Sequence, residues 1–76
     1  MVKVSKSVAE NKFNGGAEIA VIPSKVNPTS VWGKTYLSWM RTNGEPDAFE
    51  KLCNAVRYYN CNKELGMGLA YYLKEA

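Results

Sequence analysis

Phe49, Leu52, Cys53, Val56 and Tyr59 recur at helical spacing. At 3.6 residues per turn they occupy an arc of about 120° on one side of a helix. Asp47, Glu50, Lys51, Asn54 and Arg57 fill the rest of the circumference. The spacing predicts a helix over residues 46–59. Pro46 suits its first position, where a missing N–H costs nothing. Asp47 and Glu50 fall in the first turn and favour the positive end of the helix dipole. Whatever else the chain builds has to cover the apolar side of this helix.

The material for doing so is limited. Seventy-six residues make one domain, and a domain of this size buries only about 60% of its unfolded surface. Two cysteines and no histidine leave at most one disulfide and no His-containing zinc site. Two tryptophans, five tyrosines and two phenylalanines compensate, each able to bury about 150–250 Å². No apolar run is long enough to span a bilayer. The first residues, Met-Val-Lys-Val-Ser-Lys, lack the apolar stretch of a secretory signal. The expectation is a cytoplasmic protein with two free thiols. Cys53 belongs to the apolar side of its helix. Eight residues, about 12 Å of helical rise, separate it from Cys61, too far for a bridge unless the chain folds back.

Val2 and Val4 alternate with Lys3 and Ser5, as in a short strand. Two readings compete for residues 7–14. Ser7-Val8-Ala9-Glu10 matches a capping box, with Gly15 closing a helix over residues 8–14. Alternatively a strand runs from 2 to 13, Asn14-Gly15-Gly16 turns, and a second strand follows over 17–22 to Pro23. The hairpin is preferred, because a seven-residue helix without an apolar stripe has little to hold it. Asn27-Pro28 resembles a helix start, with Trp32, Tyr36, Trp39 and Met40 as a stripe. Asn62 can cap a last helix with Leu65, Leu69, Tyr72 and Leu73 as its stripe. The expected fold is α+β: a short N-terminal antiparallel β-hairpin over residues 2–22, packed on a three-helix C-terminal cluster at 28–42, 46–59 and 63–75. An exposed edge of a two-stranded sheet would offer a homodimer contact.

Enzyme chemistry finds little support. Without histidine the commonest general base is missing. Cys53 reads as a core residue, and Cys61 has no base beside it. Glu45, Asp47 and Glu50 gather at a helix start, where the dipole accounts for them. Gly15-Gly16 and Gly66-Met67-Gly68 match no phosphate-binding frame. No catalytic residue, metal or cofactor is assigned.

Aromatic residues on the polar sides of the expected helices are more informative. Tyr58 lies opposite Phe49, beside Lys51, Asn54 and Arg57. On the expected last helix Met67 and Tyr71 point away from Leu69. A tyrosine among cationic and amide side chains suits a recognition surface. Tyr58, Lys51, Asn54, Arg57, Met67 and Tyr71 are therefore the candidate partner-binding residues.

Charge provides the alternative. Residues 1–41 carry Lys3, Lys6, Lys12, Lys25, Lys34 and Arg41 against Glu10 and Glu18, for +4. Residues 42–76 hold four basic and five acidic groups, for −1. The leading expectation is a small non-enzymatic interaction protein that sterically blocks a larger host protein or complex. Phage and mobile-element inhibitors of host enzymes or defence complexes are of this kind, and the host cytoplasm would then be its place. The alternative is a small basic nucleic-acid-binding protein. It would use a helix-turn-helix formed by 46–59 and 63–75, or hairpin contacts from Lys3, Lys6, Lys12 and Lys25.

Overall fold

The computed structural model describes residues 1–74. In chain order it contains β1 (Val2–Val4), α1 (Lys6–Asn14), β2 (Ile19–Pro23), a short 3₁₀ turn (Gly33–Tyr36), α2 (Ala48–Asn60) and β3 (Leu69–Leu73). The strands form one antiparallel sheet in the order β1-β3-β2. The architecture is α+β, but the hairpin packed on a three-helix cluster is not formed.

The hairpin fails because a helix separates its two strands. Ser5 caps α1, its Oγ accepting from the Val8 backbone N–H at 3.3 Å. Ala9 and Phe13, one turn apart, are the buried stripe. The helix reading of residues 8–14 thus had the right element and the right terminator, with Gly15 N–H donating to the Asn11 carbonyl. The start lies earlier and Ser5, not Ser7, is the cap. β1 then pairs with the last strand, Val4 opposite Tyr71, instead of with β2.

Residues 28–42 do not form a helix because side chains bind the backbone groups a helix would use. Asn27 Oδ1 accepts from the Thr29 N–H and hydroxyl, Ser30 Oγ donates to the Asn27 carbonyl, and Gly33 N–H donates to Ser30 Oγ. Thr35 Oγ1 donates to the Trp32 carbonyl. Only the 3₁₀ turn results, and the segment crosses the sheet as a strap. At its end Met40 exchanges two backbone hydrogen bonds with Ile19, at 2.8 and 3.0 Å, on the outer edge of β2.

The third expected helix is also overturned. Asn62 does cap a turn, its Oδ1 accepting from the Glu64 and Leu65 N–H groups. That turn ends at Gly66, whose φ of 71° is unfavourable for other residues. Beyond it, Leu69, Tyr71 and Leu73 face the helices while Ala70 and Tyr72 face the strap. The period is two, as in a strand covered on both sides. The loss of this helix also removes the helix-turn-helix and returns Tyr71 to the interior, 8% exposed.

The helix expected at 46–59 is α2, with Pro46 ahead of it and Asp47 at its cap position. Phe49, Cys53 and Val56 are buried and Leu52 is half-buried, but Tyr59 lies outside. Phe49 meets Phe13 edge to face and lies nearly parallel to Tyr71, with ring centroids 5.9 Å apart in both pairs. Three rings thus join α1, α2 and β3. A second cluster on the opposite sheet face gathers Ala20, Ile22, Val26, Ala70 and Tyr72 beneath Tyr36, Leu37 and Trp39 of the strap.

Two substitutions separate these clusters. Phe49→Ala should cost about 3–5 kcal/mol, much of the roughly 4–11 kcal/mol expected for a chain of this length, and leave little cooperative unfolding signal. A Cβ on Gly33 would stand 1.6 Å from the Asn27 carbonyl oxygen. Gly33→Ala should therefore lower urea stability by about 2 kcal/mol. Exchange protection should be lost over 27–40 before it is lost in α2.

Candidate functional site

α2 presents its outward side along Lys51, Asn54 and Tyr58, spaced i, i+3 and i+7. Tyr58 and Tyr59, in the last turn of the helix, are 81% and 79% exposed. Their rings meet edge to face at 4.9 Å. Arg57, next in sequence, donates from Nη1 to Asn54 Oδ1 at 3.3 Å. Lys51 is engaged differently. Its Nζ donates to Glu45 Oε2 at 2.6 Å and lies 3.6 Å from Asp47 Oδ1. The Glu45 hydrogen bond, then the Asp47 and Glu45 charges, hold this ammonium above the usual lysine range. Lys51 ties the helix start to the preceding loop and is less free to meet a partner than the sequence suggests.

The remaining predicted residues scatter. Met67 is exposed, in the bend before β3, and Tyr71 is sealed between the helices and the sheet. Lys3, Lys6, Lys12 and Lys25 are all exposed. Val4 packs toward the helices, so Lys3, its neighbour on β1, faces the other way. Lys6 and Lys12 occupy the two ends of α1, and Lys25 follows β2. They do not line one surface.

On the flank of α2 lies a cleft of about 310 Å³, bordered by α1, the segment after the strap, and the helix itself. Phe13, Ala48 and Leu52 are at its base, with Met40, Arg41 and Ala55 among its walls. This volume is at the low end of the roughly 300–1,000 Å³ usual for ligand pockets. Sequence reasoning missed the cleft, since two of its nine lining residues, Met40 and Arg41, come from a segment expected to be helical and two more, Asn43 and Glu45, from the turn after it. It also missed Tyr59, which an ideal helical wheel puts at the margin of the buried arc.

Two titratable groups in the core bear on chemistry. Burial pushes the Cys53 thiol up, against the opposing charges of Arg57 and Lys6 and a hydrogen bond from Tyr71. Burial also raises the Tyr71 phenol, as does the neighbouring Cys53. A thiol held in its neutral form is a poor nucleophile. Among the described residues no group of three His, Cys, Asp or Glu side chains converges to hold a metal ion. No protein-family model, curated protein or solved structure matches this chain.

Because both values are raised, the folded chain holds these protons more tightly than the unfolded one. Stability from this source is complete below the ordinary thiol range and is lost as pH climbs through the folded-state values. The urea midpoint should stay level from about pH 7 to 8 and fall above about pH 9, with a shallower fall in Cys53→Ala. Iodoacetamide under native conditions should label half-buried Cys61 well before Cys53, as mass spectrometry of timed samples would show.

Proposed function

We propose that the chain is a non-enzymatic interaction protein that grips a larger protein through the outward side of α2. The observation that carries this reading is the Tyr58–Tyr59 pair. Single exposed apolar side chains are ordinary on any surface. Two adjacent aromatic rings in mutual contact, with an arginine next in sequence, are a more specific arrangement. Tyrosine and arginine supply a disproportionate share of binding energy, because they bury a large area while keeping a polar tip. The fold does not need these rings, since neither belongs to a core cluster.

The mechanism is steric. The described body measures 32 × 25 × 18 Å, enough to cover a channel mouth or an active-site entrance. In the phage or mobile-element setting, the partner is a host enzyme or defence complex in the host cytoplasm. The tyrosine face is preferred over the free edge of β1 as the contact. That edge is three residues long and carries Lys3, features that discourage strand addition. Nucleic acid is the weaker reading because the unpaired lysines lie on different faces.

The double variant Tyr58→Ser/Tyr59→Ser separates the two readings. Its urea midpoint should match the parent to within about 0.5 kcal/mol. Affinity-tagged parent chain should retain a specific protein from host extract after nuclease treatment, and the double variant should lose it. Retention that nuclease abolishes, or that disappears in Lys3→Ala/Lys6→Ala/Lys12→Ala while the tyrosine variant keeps it, would instead support nucleic acid as the target.

A further inference from the structure

We propose that the Asn43–Gly44 peptide is a self-modification site, where the folded chain loses ammonia to become isoaspartate or aspartate and so remodels the loop that leads into α2. The co-reactant is water, and no enzyme is required.

The Gly44 backbone nitrogen gives up its proton to water and attacks the side-chain carbonyl carbon of Asn43. A bond forms between that nitrogen and Cγ, and an electron pair moves onto Oδ1. The intermediate collapses with Nδ2 leaving as ammonia, which closes a five-membered imide. Water then opens the ring. Breaking the new Cγ–N bond gives aspartate. Breaking the original peptide C–N bond gives isoaspartate, whose main chain runs through Cβ. One water enters, one ammonia leaves, and nothing is oxidised or reduced. Ring closure within one residue pair has the advantage of a high effective concentration. Glycine is the favoured second residue, because it has no Cβ to crowd the nitrogen or restrict its backbone.

Two asparagines precede glycine, Asn14 and Asn43. Asn27 precedes proline, which has no N–H to lose, and the others precede residues with side chains. The fold treats the two candidates differently. Asn14 is the last residue of α1, and the Gly15 N–H donates to the Asn11 carbonyl at 3.0 Å. Attack there requires the last helical turn to open. Asn43 and Gly44 are exposed in the loop before α2. Gly44 has a φ of 88°, and a Cβ placed on it would meet nothing within 4 Å. Its N–H donates to the Thr42 hydroxyl at 3.1 Å, a partner that water can replace. Asn43 Oδ1 accepts from the Glu45 N–H at 3.0 Å. A backbone N–H aimed at the oxygen that gains charge stabilises the intermediate. The nucleophile is thus accessible and the electrophile already polarised.

The consequences follow from what the loop joins. Before it, Met40 is bonded in both directions to Ile19. After it, Lys51 holds Glu45 and Asp47. The extra main-chain carbon of isoaspartate has to be taken up between these two anchorages. The new carboxylate also joins a stretch whose two acidic groups already share one lysine. Asn43 lines the cleft beside α2, so the reaction changes both the shape and the charge of that recess.

The full chain is incubated at mildly alkaline pH, folded and, in parallel, unfolded in guanidinium chloride. Timed samples are digested and both Asn-Gly peptides quantified by mass spectrometry, with electron-transfer fragmentation to identify isoaspartate. In denaturant the two sites should react at similar rates. In the folded chain Asn43 should react at least as fast as in denaturant. Asn14 should slow by about tenfold or more, the suppression given by an opening cost of about 1.4 kcal/mol. The aged folded chain should elute as a more acidic species and unfold at lower urea than the parent. Asn43→Asp, which adds the charge alone, should keep a midpoint close to the parent's. Asn43→Gln, which would have to close a six-membered ring, should stay unmodified at that position. Equal rates at the two sites in the folded chain would overturn the proposal, as would an Asn43 that reacts more slowly folded than unfolded. So would an aged chain with isoaspartate at residue 43 and the parent's urea midpoint, because the loop would then not have been remodelled.

Discussion

Phe49 stands between Phe13 and Tyr71, and through those two contacts the helices and the central strand become one body. Aromatic pairs of this geometry contribute about 0.5–1.5 kcal/mol each beyond the area they bury. In a chain with so little interior, that is a substantial share of the net stability. The stack also determines order in the sheet. Tyr71 lies opposite Val4 on one side and Val21 on the other. Placing its ring under Phe49 brings both outer strands against the same strand, so the last segment of the chain organises the first.

A central strand has two faces, and the helices cover only one. The strap covers the second, held largely by hydrogen bonds between its own side chains and backbone. A helix there would have presented one apolar stripe and used its amides internally. The strap instead places Tyr36, Leu37 and Trp39 over Ala20, Ile22, Ala70 and Tyr72 and still reaches β2 with Met40. That anchorage leaves Arg41 and the following loop alongside α2. The cleft is thus a consequence of how the second face is closed.

α2 was legible because its stripe and its polar complement agree over three turns. So was the burial of Cys53, which follows from its place between Phe49 and Val56. Tyr58 was placed outside by the same geometry. β2 was recognisable from Ile19, Val21 and Ile22 ahead of Pro23, although its partner was not. The failures share a cause. In 28–42 and 63–75, apolar residues at positions compatible with i, i+4 and i+7 masked local chemistry that opposes helix: hydroxyls bonding to nearby amides in one, a positive-φ glycine in the other. Leu69–Leu73 is apolar at every position, and periodicity does not separate a helix from a doubly covered strand in so short a run. For residues 6–14 the pattern was weak because only Ala9 and Phe13 are buried, and one of them is small. The cleft was invisible for a further reason: its walls are brought together by the Ile19–Met40 pairing, a contact with no local signature.

The same limits bear on the proposal that the outward side of α2 meets a partner. In a small domain each large ring is valuable to the interior, and here Phe13, Phe49, Tyr71 and Tyr72 are all drawn inside. Tyr58 and Tyr59 are not, although α2 has an apolar side a turn away. Retaining two exposed rings there gives the folded chain little, because their contact with each other is made largely in water. An aromatic pair becomes energetically important when a partner removes that water, and Arg57, next in sequence, carries a charged donor for the polar atoms that must be buried with it. Trp32 also stays more than half exposed on the strap, its ring against Tyr36, but on α2 the two rings that folding leaves in water are the feature the proposed association would use.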